Sequence, residues 1–116
     1  MEMTIGAGAR LSYQGWKIGF LEIEGLLPRG GASGLEAEVA RIEEGLRKNL
    51  GGMNRRKLAD IEPLAAYAEH FGAWGKAYPV LLQAEAVASK GRHIGMPDPL
   101  VTAMFAAELE GLLLTA

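Results

Sequence analysis

A chain of 116 residues that is 49% hydrophobic and 22% charged is long enough to fold around one core and too apolar to be disordered. Its formal net charge of -2 argues against a broad basic surface for nucleic acid, and the absence of Cys excludes disulfides and thiolate chemistry. No apolar run reaches membrane-spanning length and the first residues lack a signal-peptide pattern, so we expect one domain over residues 1–116, in the cytoplasm and without a membrane partner.

Two N-terminal segments show the alternation of β-strands. Over residues 2–12, apolar side chains alternate with polar or glycine positions, which predicts a half-buried strand. Residues 16–24 carry apolar side chains on both faces, which predicts a strand covered on both sides. Residues 13–15 can form the turn between them. We therefore predict an α+β fold in which an N-terminal β-hairpin or small antiparallel sheet packs against several helices.

A glycine-rich stretch and a helix come next. Residues 25–34 lack the Lys-Ser/Thr signature of a phosphate loop, so we interpret them as a connecting loop. Ser33 and Glu36 predict a capping box at the start of the helix. Its charged residues, including the i,i+4 pair Glu43 and Arg47, are expected on a solvated face. The opposite face is predicted to carry an apolar stripe of Leu35, Val39, Ile42, Leu46 and Leu50.

A basic cluster follows this helix. Its members are Arg47, Lys48, Arg55, Arg56 and Lys57. One interpretation is a solvated loop with cations favoured by the helix dipole, and the other is phosphate binding. If the protein binds tRNA, contacts to the RNA backbone are predicted from Arg55, Arg56 and Lys57, because such side chains neutralise phosphates without reading sequence.

Three further helices are predicted from their termini. Asp60 is expected to cap the first, which ends at Gly72. Pro79 suits the first turn of the second, which ends at Gly91. Asp98, followed by proline, is expected to cap the third, which runs to about Leu113.

The last helix is apolar on nearly every side. Large apolar residues occupy most of residues 100–114, and the polar exceptions are Thr102, Glu108 and Glu110. A helix of this kind has to be buried on most sides, and a short chain offers little surface to do so. We therefore expect either a missing part of the domain or another subunit, in a homo-oligomer or from a second chain, to cover it.

The layout of residues 71–114 resembles one family. A loop with Lys76 and Tyr78-Pro79, a helix ending in Lys90-Gly91, a basic turn, and a polar residue ahead of Leu100-Val101 are similar to the B3/B4 domain. That domain occurs in the beta subunit of bacterial phenylalanyl-tRNA synthetase, where it hydrolyses tyrosine wrongly attached to the tRNA, and in stand-alone proteins. The resemblance extends upstream to residues 16–24 and so covers most of the chain.

This resemblance carries expectations about fold and function. It implies a sandwich-like sheet layer with helices on one side, of which residues 1–116 form the N-terminal part. It also implies a stand-alone protein that binds, and hydrolyses, mischarged aminoacyl-tRNA. Water would be positioned by backbone groups and a few polar side chains, without a cofactor. A metal site is not expected, since the chain has two isolated histidines and no thiols.

His93 and Asp98 are the predicted catalytic residues. They lie in the turn between the last two helices, and a histidine near an acid can orient water for ester hydrolysis at neutral pH. The alternative is that both are solvated polar residues of a loop. Arg92 beside His93, and Thr102 at the start of the last helix, are predicted to contact the substrate.

Lys76 and Tyr78 complete the predicted substrate-binding set. In one interpretation Tyr78 stacks on or hydrogen-bonds a ligand and Lys76 meets an anion. In the other, the ring of Tyr78 lies between helices with its hydroxyl at the rim, and Lys76 is solvated.

The chain departs from the family pattern at several polar positions. Where members of the family carry a small polar pair and a glutamate after the proline, this sequence has Val80, Leu81 and Leu82. The alternative function is therefore a non-catalytic binding or assembly module that kept the scaffold. Its pocket would be filled by Leu82, Val87 and Phe105.

Overall fold

The computed structural model describes residues 2–25 and 33–115, apart from the side chain of Ser33. Within these ranges the chain is helical. The helices are α1 (Ala7–Ser12), α2 (Ser33–Leu50), α3 (Arg55–Leu58), α4 (Leu64–Ala73), α5 (Pro79–Lys90) and α6 (Pro99–Gly111). Most of the predicted glycine-rich connecting loop, and the Ser33 side chain of the predicted capping box, lie outside the described residues.

The predicted α+β fold is wrong. Residues 7–12 form α1, and residues 16–24 have no regular secondary structure. No strand, and hence no hairpin or sheet, occurs in residues 2–25 or 33–115. The prediction that residues 16–24 are covered on both faces is also wrong, because every one of them is exposed.

The composition of the first segment explains why residues 7–12 form a helix and not a strand. Its alternating apolar positions include Ala7 and Ala9, which are small and favour a helix over a strand. Backbone hydrogen bonds close the helical turns, from Arg10 N–H to the Gly6 carbonyl at 3.1 Å and from Tyr13 N–H to the Ala9 carbonyl at 2.9 Å. A two-stranded hairpin with no third strand or helix against it would be marginal in water, so the short helix is the better alternative.

The core is built around α5. This helix contacts α2, α3, α4 and α6. Its buried residues recur with the helical period on more than one side, as expected for a central helix. They are Val80, Leu81, Ala84, Val87 and Ala88. The predicted apolar stripe of α2 is confirmed at Val39, Ile42, Leu46 and Leu50, which are buried in the same core.

Local signals at helix ends are confirmed in three places. Pro79 begins α5, and Gly91 ends it in the left-handed conformation with φ 67°. Asp98 caps α6 by accepting a hydrogen bond from the N–H of Leu100 at 2.8 Å. The cap predicted at Asp60 is wrong. Asn54 caps α3 by accepting from the N–H of Lys57 at 2.9 Å, and α4 starts only after Pro63.

The last helix has one buried face and one exposed face. Thr102, Ala106, Glu108 and Leu109 are its buried residues, so two of its few polar side chains point inward. Glu108 accepts hydrogen bonds from the N–H and the hydroxyl of Thr115, at 2.9 and 2.7 Å, which offsets the cost of its burial. On the outer face Leu100 is 44% exposed. That another subunit covers this face stays a prediction.

The two faces of α6 can be compared by making the same Leu→Ala change on each. Leu109→Ala leaves a cavity at a site that is 2% exposed, and we expect it to lower the free energy of unfolding by about 2–5 kcal/mol. Leu100→Ala, the matched change on the exposed face, should cost less than about 1 kcal/mol. Urea unfolding followed by circular dichroism measures both. Equal losses would contradict the orientation of α6.

Candidate functional site

Glu43 is the buried charged residue on which the candidate site is built. It is 5% exposed, although the sequence pattern predicts a solvated position. That prediction is wrong because residue 43 lies four residues after Val39 and three before Leu46, on the buried stripe of α2. A carboxylate in such a place has to find partners, since burying it unpaired is costly.

Three groups surround the carboxylate. Oε1 of Glu43 accepts a hydrogen bond from the backbone N–H of Ile94 at 2.6 Å, and Nδ1 of His93 lies 2.6 Å from the same oxygen. Oε2 accepts from Nη2 of Arg47 at 3.3 Å, which is the predicted i,i+4 pair. Two of the three partners belong to the loop between α5 and α6, residues 91–98. Glu43 therefore fixes this loop against α2.

Two further contacts hold the α5–α6 loop. Nη2 of Arg47 also donates to the carbonyl of Arg92 at 3.2 Å. On the other side, the hydroxyl of Thr102 forms two hydrogen bonds with the backbone of Met96. Its oxygen accepts from the N–H of Met96 at 3.2 Å, and its O–H donates to the carbonyl of Met96 at 3.1 Å. The loop is thus tied to both flanking helices. Thr102, predicted to bind substrate, is buried and serves this purpose.

His93 lies at the surface, and one of its two ring nitrogens is paired with Glu43. Its side chain is 72% exposed, and Nδ1 faces the Glu43 carboxylate. At that distance the carboxylate favours the tautomer with the proton on Nδ1, which leaves Nε2 as the acceptor. The ring lies over Gly95, where an added Cβ would come within 2.9 Å of the ring carbon Cδ2 of His93. Glycine at position 95 therefore makes room for the imidazole.

Cavities lie on either side of the loop. One, of about 430 Å³, opens between the loop, α2 and the first turn of α6. The other, of about 260 Å³, opens between the loop, α5 and α6, and Val87 and Phe105 are among its lining residues. Residues 93–96 line both cavities, so a ligand in either would lie beside His93.

The structure pairs His93 with an acid other than the predicted Asp98. Asp98 is exposed and its carboxylate caps α6. The acid beside His93 is Glu43, which sequence reasoning missed. Its position on the stripe of α2 was a signal for burial, but His93 lies 50 positions further along the chain, and no local pattern joins the two. Arg92 is exposed and is among the residues that line the smaller cavity.

Tyr78 lies in the core. It is 1% exposed, its ring stacks on that of Tyr67 with centroids 4.5 Å apart, and its hydroxyl donates to the carbonyl of Leu112 at 3.2 Å. Burial, with a smaller contribution from Tyr67, raises the pKa of the phenol far above its usual value. This position matches the interpretation in which the ring lies between helices. Lys76 is exposed and lines neither cavity beside His93.

The predicted RNA-contacting cations differ in their surroundings. Nε of Arg55 donates to Oε2 of Glu85 at 2.8 Å, and this hydrogen bond is the main reason why the pKa of Glu85 is lowered. Arg56 and Lys57 are exposed, and neither forms an ion pair with any residue that the structure describes. These two side chains are therefore the ones free to meet phosphates.

Several site classes have no support in the described ranges. No group of three or more His, Asp or Glu side chains there is arranged to hold a metal ion. None of the described helices combines the length and the apolar character needed to cross a membrane. The chain matches no known family model, no curated protein and no solved structure.

The role of Glu43 can be tested by hydrogen exchange. Glu43→Ala removes the acceptor of the Ile94 N–H, so we expect protection of this amide to fall at least about tenfold and stability to fall by about 1–3 kcal/mol. Glu44→Ala, at an exposed position of the same helix, is the control and should change neither. If the exchange rate of the Ile94 amide is the same in Glu43→Ala as in the unchanged protein, Glu43 does not hold the α5–α6 loop against α2.

Proposed function

We propose that this chain binds aminoacyl-tRNA and hydrolyses the ester bond between the amino acid and the tRNA. The observation that carries the proposal is the pair of His93 Nδ1 and Glu43 Oε1, 2.6 Å apart at the edge of the 430 Å³ cavity. A histidine that is held by a buried acid and exposed at its other nitrogen is suited to general base catalysis.

The chemistry needs only groups of this chain and water. Nε2 of His93 takes a proton from a water molecule, and the resulting hydroxide forms a bond to the ester carbonyl carbon. The bond from that carbon to the ribose oxygen then breaks, and the imidazolium returns the proton to the ribose oxygen. The products are the free amino acid and the deacylated tRNA. Glu43 orients the ring and stabilises its positive charge during the reaction.

The substrate class comes from the resemblance to the B3/B4 editing domain. The helices and turn that carry this resemblance are α5, the α5–α6 loop and α6, and the loop contains His93. The strands that the family would place at the N-terminus are absent from the described residues, so support comes from the C-terminal half alone. Aminoacyl-tRNA is made in the cytoplasm, which places the chain there under this proposal.

The catalytic assignment is tested with tRNA specific for phenylalanine that carries tyrosine. We expect the chain to release tyrosine faster than buffer does, and His93→Ala to lower that rate by about 10²–10⁴-fold. Asp98→Asn, which keeps an oxygen to cap α6, should retain activity close to that of the unchanged protein. Asp98 was the acid predicted from sequence, so this variant separates the two candidate acids.

The outcomes of this assay are distinct. If the two variants lose activity equally, His93 and Glu43 do not form the catalytic pair. If the unchanged protein binds tRNA but releases no tyrosine above buffer, the chain binds tRNA without hydrolysing the ester. A rate that does not depend on His93 would contradict the mechanism.

The RNA-binding surface is tested by salt dependence. Replacing Arg56 and Lys57 together with Ala should weaken tRNA binding and reduce the slope of log affinity against log salt by about 0.7–0.9 for each lost phosphate contact. Arg55→Ala should have a smaller effect, because Glu85 already holds its guanidinium. Fluorescence anisotropy at four salt concentrations measures both. A slope that is the same in all three proteins would exclude this cluster as the contact surface.

A second candidate function is a non-catalytic binding or assembly module. The observation that favours it is the apolar lining of the smaller cavity, to which Val87 and Phe105 contribute. Leu82, the third residue expected to fill the pocket, is half-buried and does not line either cavity beside His93. If tyrosine release and salt-sensitive tRNA binding are both absent, this function is the one that remains.

A further inference from the structure

A cavity of about 570 Å³ lies between the N-terminal segment and α4. Residues 5–18 supply most of its lining, and His70 of α4 supplies the rest. None of its lining residues belongs to the α5–α6 loop, so a ligand here would occupy a site separate from the one at His93. The volume falls within the range of about 300–1,000 Å³ that is usual for small-molecule sites.

The backbone of residues 9–16 brings the lining side chains together. At the end of α1 the N–H of Tyr13 donates to the carbonyl of Ala9 at 2.9 Å, so Arg10 and Tyr13, three residues apart, lie on one side of the helical turn. The N–H of Trp16 then donates to the carbonyl of Tyr13 at 3.2 Å. Gly15 within this turn has φ 82°, a conformation that glycine adopts at no steric cost. The turn places the Trp16 ring beside the Tyr13 ring, with centroids 5.9 Å apart.

Aromatic rings form one wall of the cavity. The ring of His70 meets the rings of Tyr13 and Trp16, with centroids 5.5 and 4.8 Å apart. The interplanar angles are 65° and 60°, so these rings meet at their edges and do not stack. Tyr13 is 40% exposed and Trp16 is 45% exposed, which leaves part of each ring uncovered. The wall therefore offers ring surface on which a flat aromatic group can stack.

A cation without a partner lines the same cavity. Arg10 forms no ion pair and no side-chain hydrogen bond with any described residue. Its guanidinium can present two parallel N–H donors to a carboxylate. The imidazole of His70 likewise has no hydrogen bond to the described part of the chain, and none of the lining residues is acidic. The charges of the lining therefore favour an anion.

Much of the remaining lining is apolar. Ile5, Ala9 and Ile18 contribute to it, and the two isoleucines are 40% and 64% exposed. A small inorganic anion would leave these side chains in contact with water. A ligand with an apolar body would cover them, which is favourable in proportion to the apolar area removed from water.

We propose that this cavity binds a small aromatic carboxylate, with its flat ring against Trp16 and Tyr13 and its carboxylate on the guanidinium of Arg10. An aliphatic carboxylate could pair with Arg10 but could not stack on the rings. A neutral aromatic molecule could stack but would leave Arg10 unpaired. The proposal does not depend on the proposed function, because no lining residue of this cavity takes part in the chemistry at His93.

Titration with 2-naphthoate, followed by nuclear magnetic resonance of the isotope-labelled full chain, tests the site. The indole N–H signal of Trp16 should shift to saturation with a Kd of about 1 mM or below, as expected for a ligand of this size. The chain has two Trp residues, and Trp74 is the internal control. Trp74 is 69% exposed and does not line the cavity, so its indole signal should stay in place.

Two further probes separate charge from shape. The neutral ketone 2-acetylnaphthalene has the same two rings, and decanoate is a carboxylate of similar size with no ring. Each should bind at least about fivefold more weakly than 2-naphthoate, because the first lacks the ion pair and the second lacks the stacking.

A matched pair of variants tests Arg10. Arg10→Gln removes the charge and should raise the Kd for 2-naphthoate by about five- to tenfold, and both residues are good helix formers, so α1 should persist. Arg56→Gln makes the same change at an exposed cation outside the cavity and should leave the Kd unchanged. Circular dichroism checks that both variants keep their helices.

Four results would overturn the proposal. The first is an indole signal of Trp16 that does not move up to about 10 mM 2-naphthoate, and the second is equal movement of the two indole signals. The third is binding of 2-acetylnaphthalene or decanoate as tight as that of 2-naphthoate. The fourth is a Kd that is the same in Arg10→Gln as in the unchanged protein.

Discussion

The arrangement of the C-terminal half depends on one buried carboxylate. Glu43 sits on the apolar stripe of α2, where the loss of hydration would cost several kcal/mol if no partners replaced the water. Its partners are Ile94 and His93 of the α5–α6 loop and Arg47 of its own helix. An apolar residue at position 43 could pack against many segments. The carboxylate instead selects residues 91–98, because the N–H of Ile94 and the ring of His93 are the partners that it needs.

These contacts hold in place a loop whose composition would predict mobility. Residues 91–98 include Gly91 and Gly95, and such loops are ordinarily mobile. Here the loop is held from α2 by Glu43 and from α6 by Thr102. The imidazole of His93 is consequently positioned by a buried acid although the ring itself is at the surface. Preorganisation of an exposed base is what a hydrolytic site requires, since water and substrate must both reach it.

How well the sequence predicts this structure depends on the range of the interaction. The boundaries of α5 and the start of α6 follow from Pro79, Gly91 and Asp98, because caps act within a few residues. The pair of His93 and Glu43 could not be predicted in this way, because its members are far apart in sequence and meet only when α2 packs on α5. Asp98, the acid closest to His93 in sequence, is the one that the sequence predicts as its partner. In the structure its carboxylate caps α6.

The wrong prediction at the N-terminus has a different physical cause. An alternating pattern reports which side chains would share a face if the chain were extended, but a strand also needs a partner for its backbone. In residues 7–12 the backbone forms its hydrogen bonds within α1, and the alanines there have a high intrinsic helix propensity. In residues 16–24 β-branched and aromatic side chains disfavour a helix, and no strand occurs in residues 2–25 or 33–115 with which they could pair. The alternation there indicates which side chains would share a face in a strand, but the described residues offer no second strand to pair with, so the backbone does not form one.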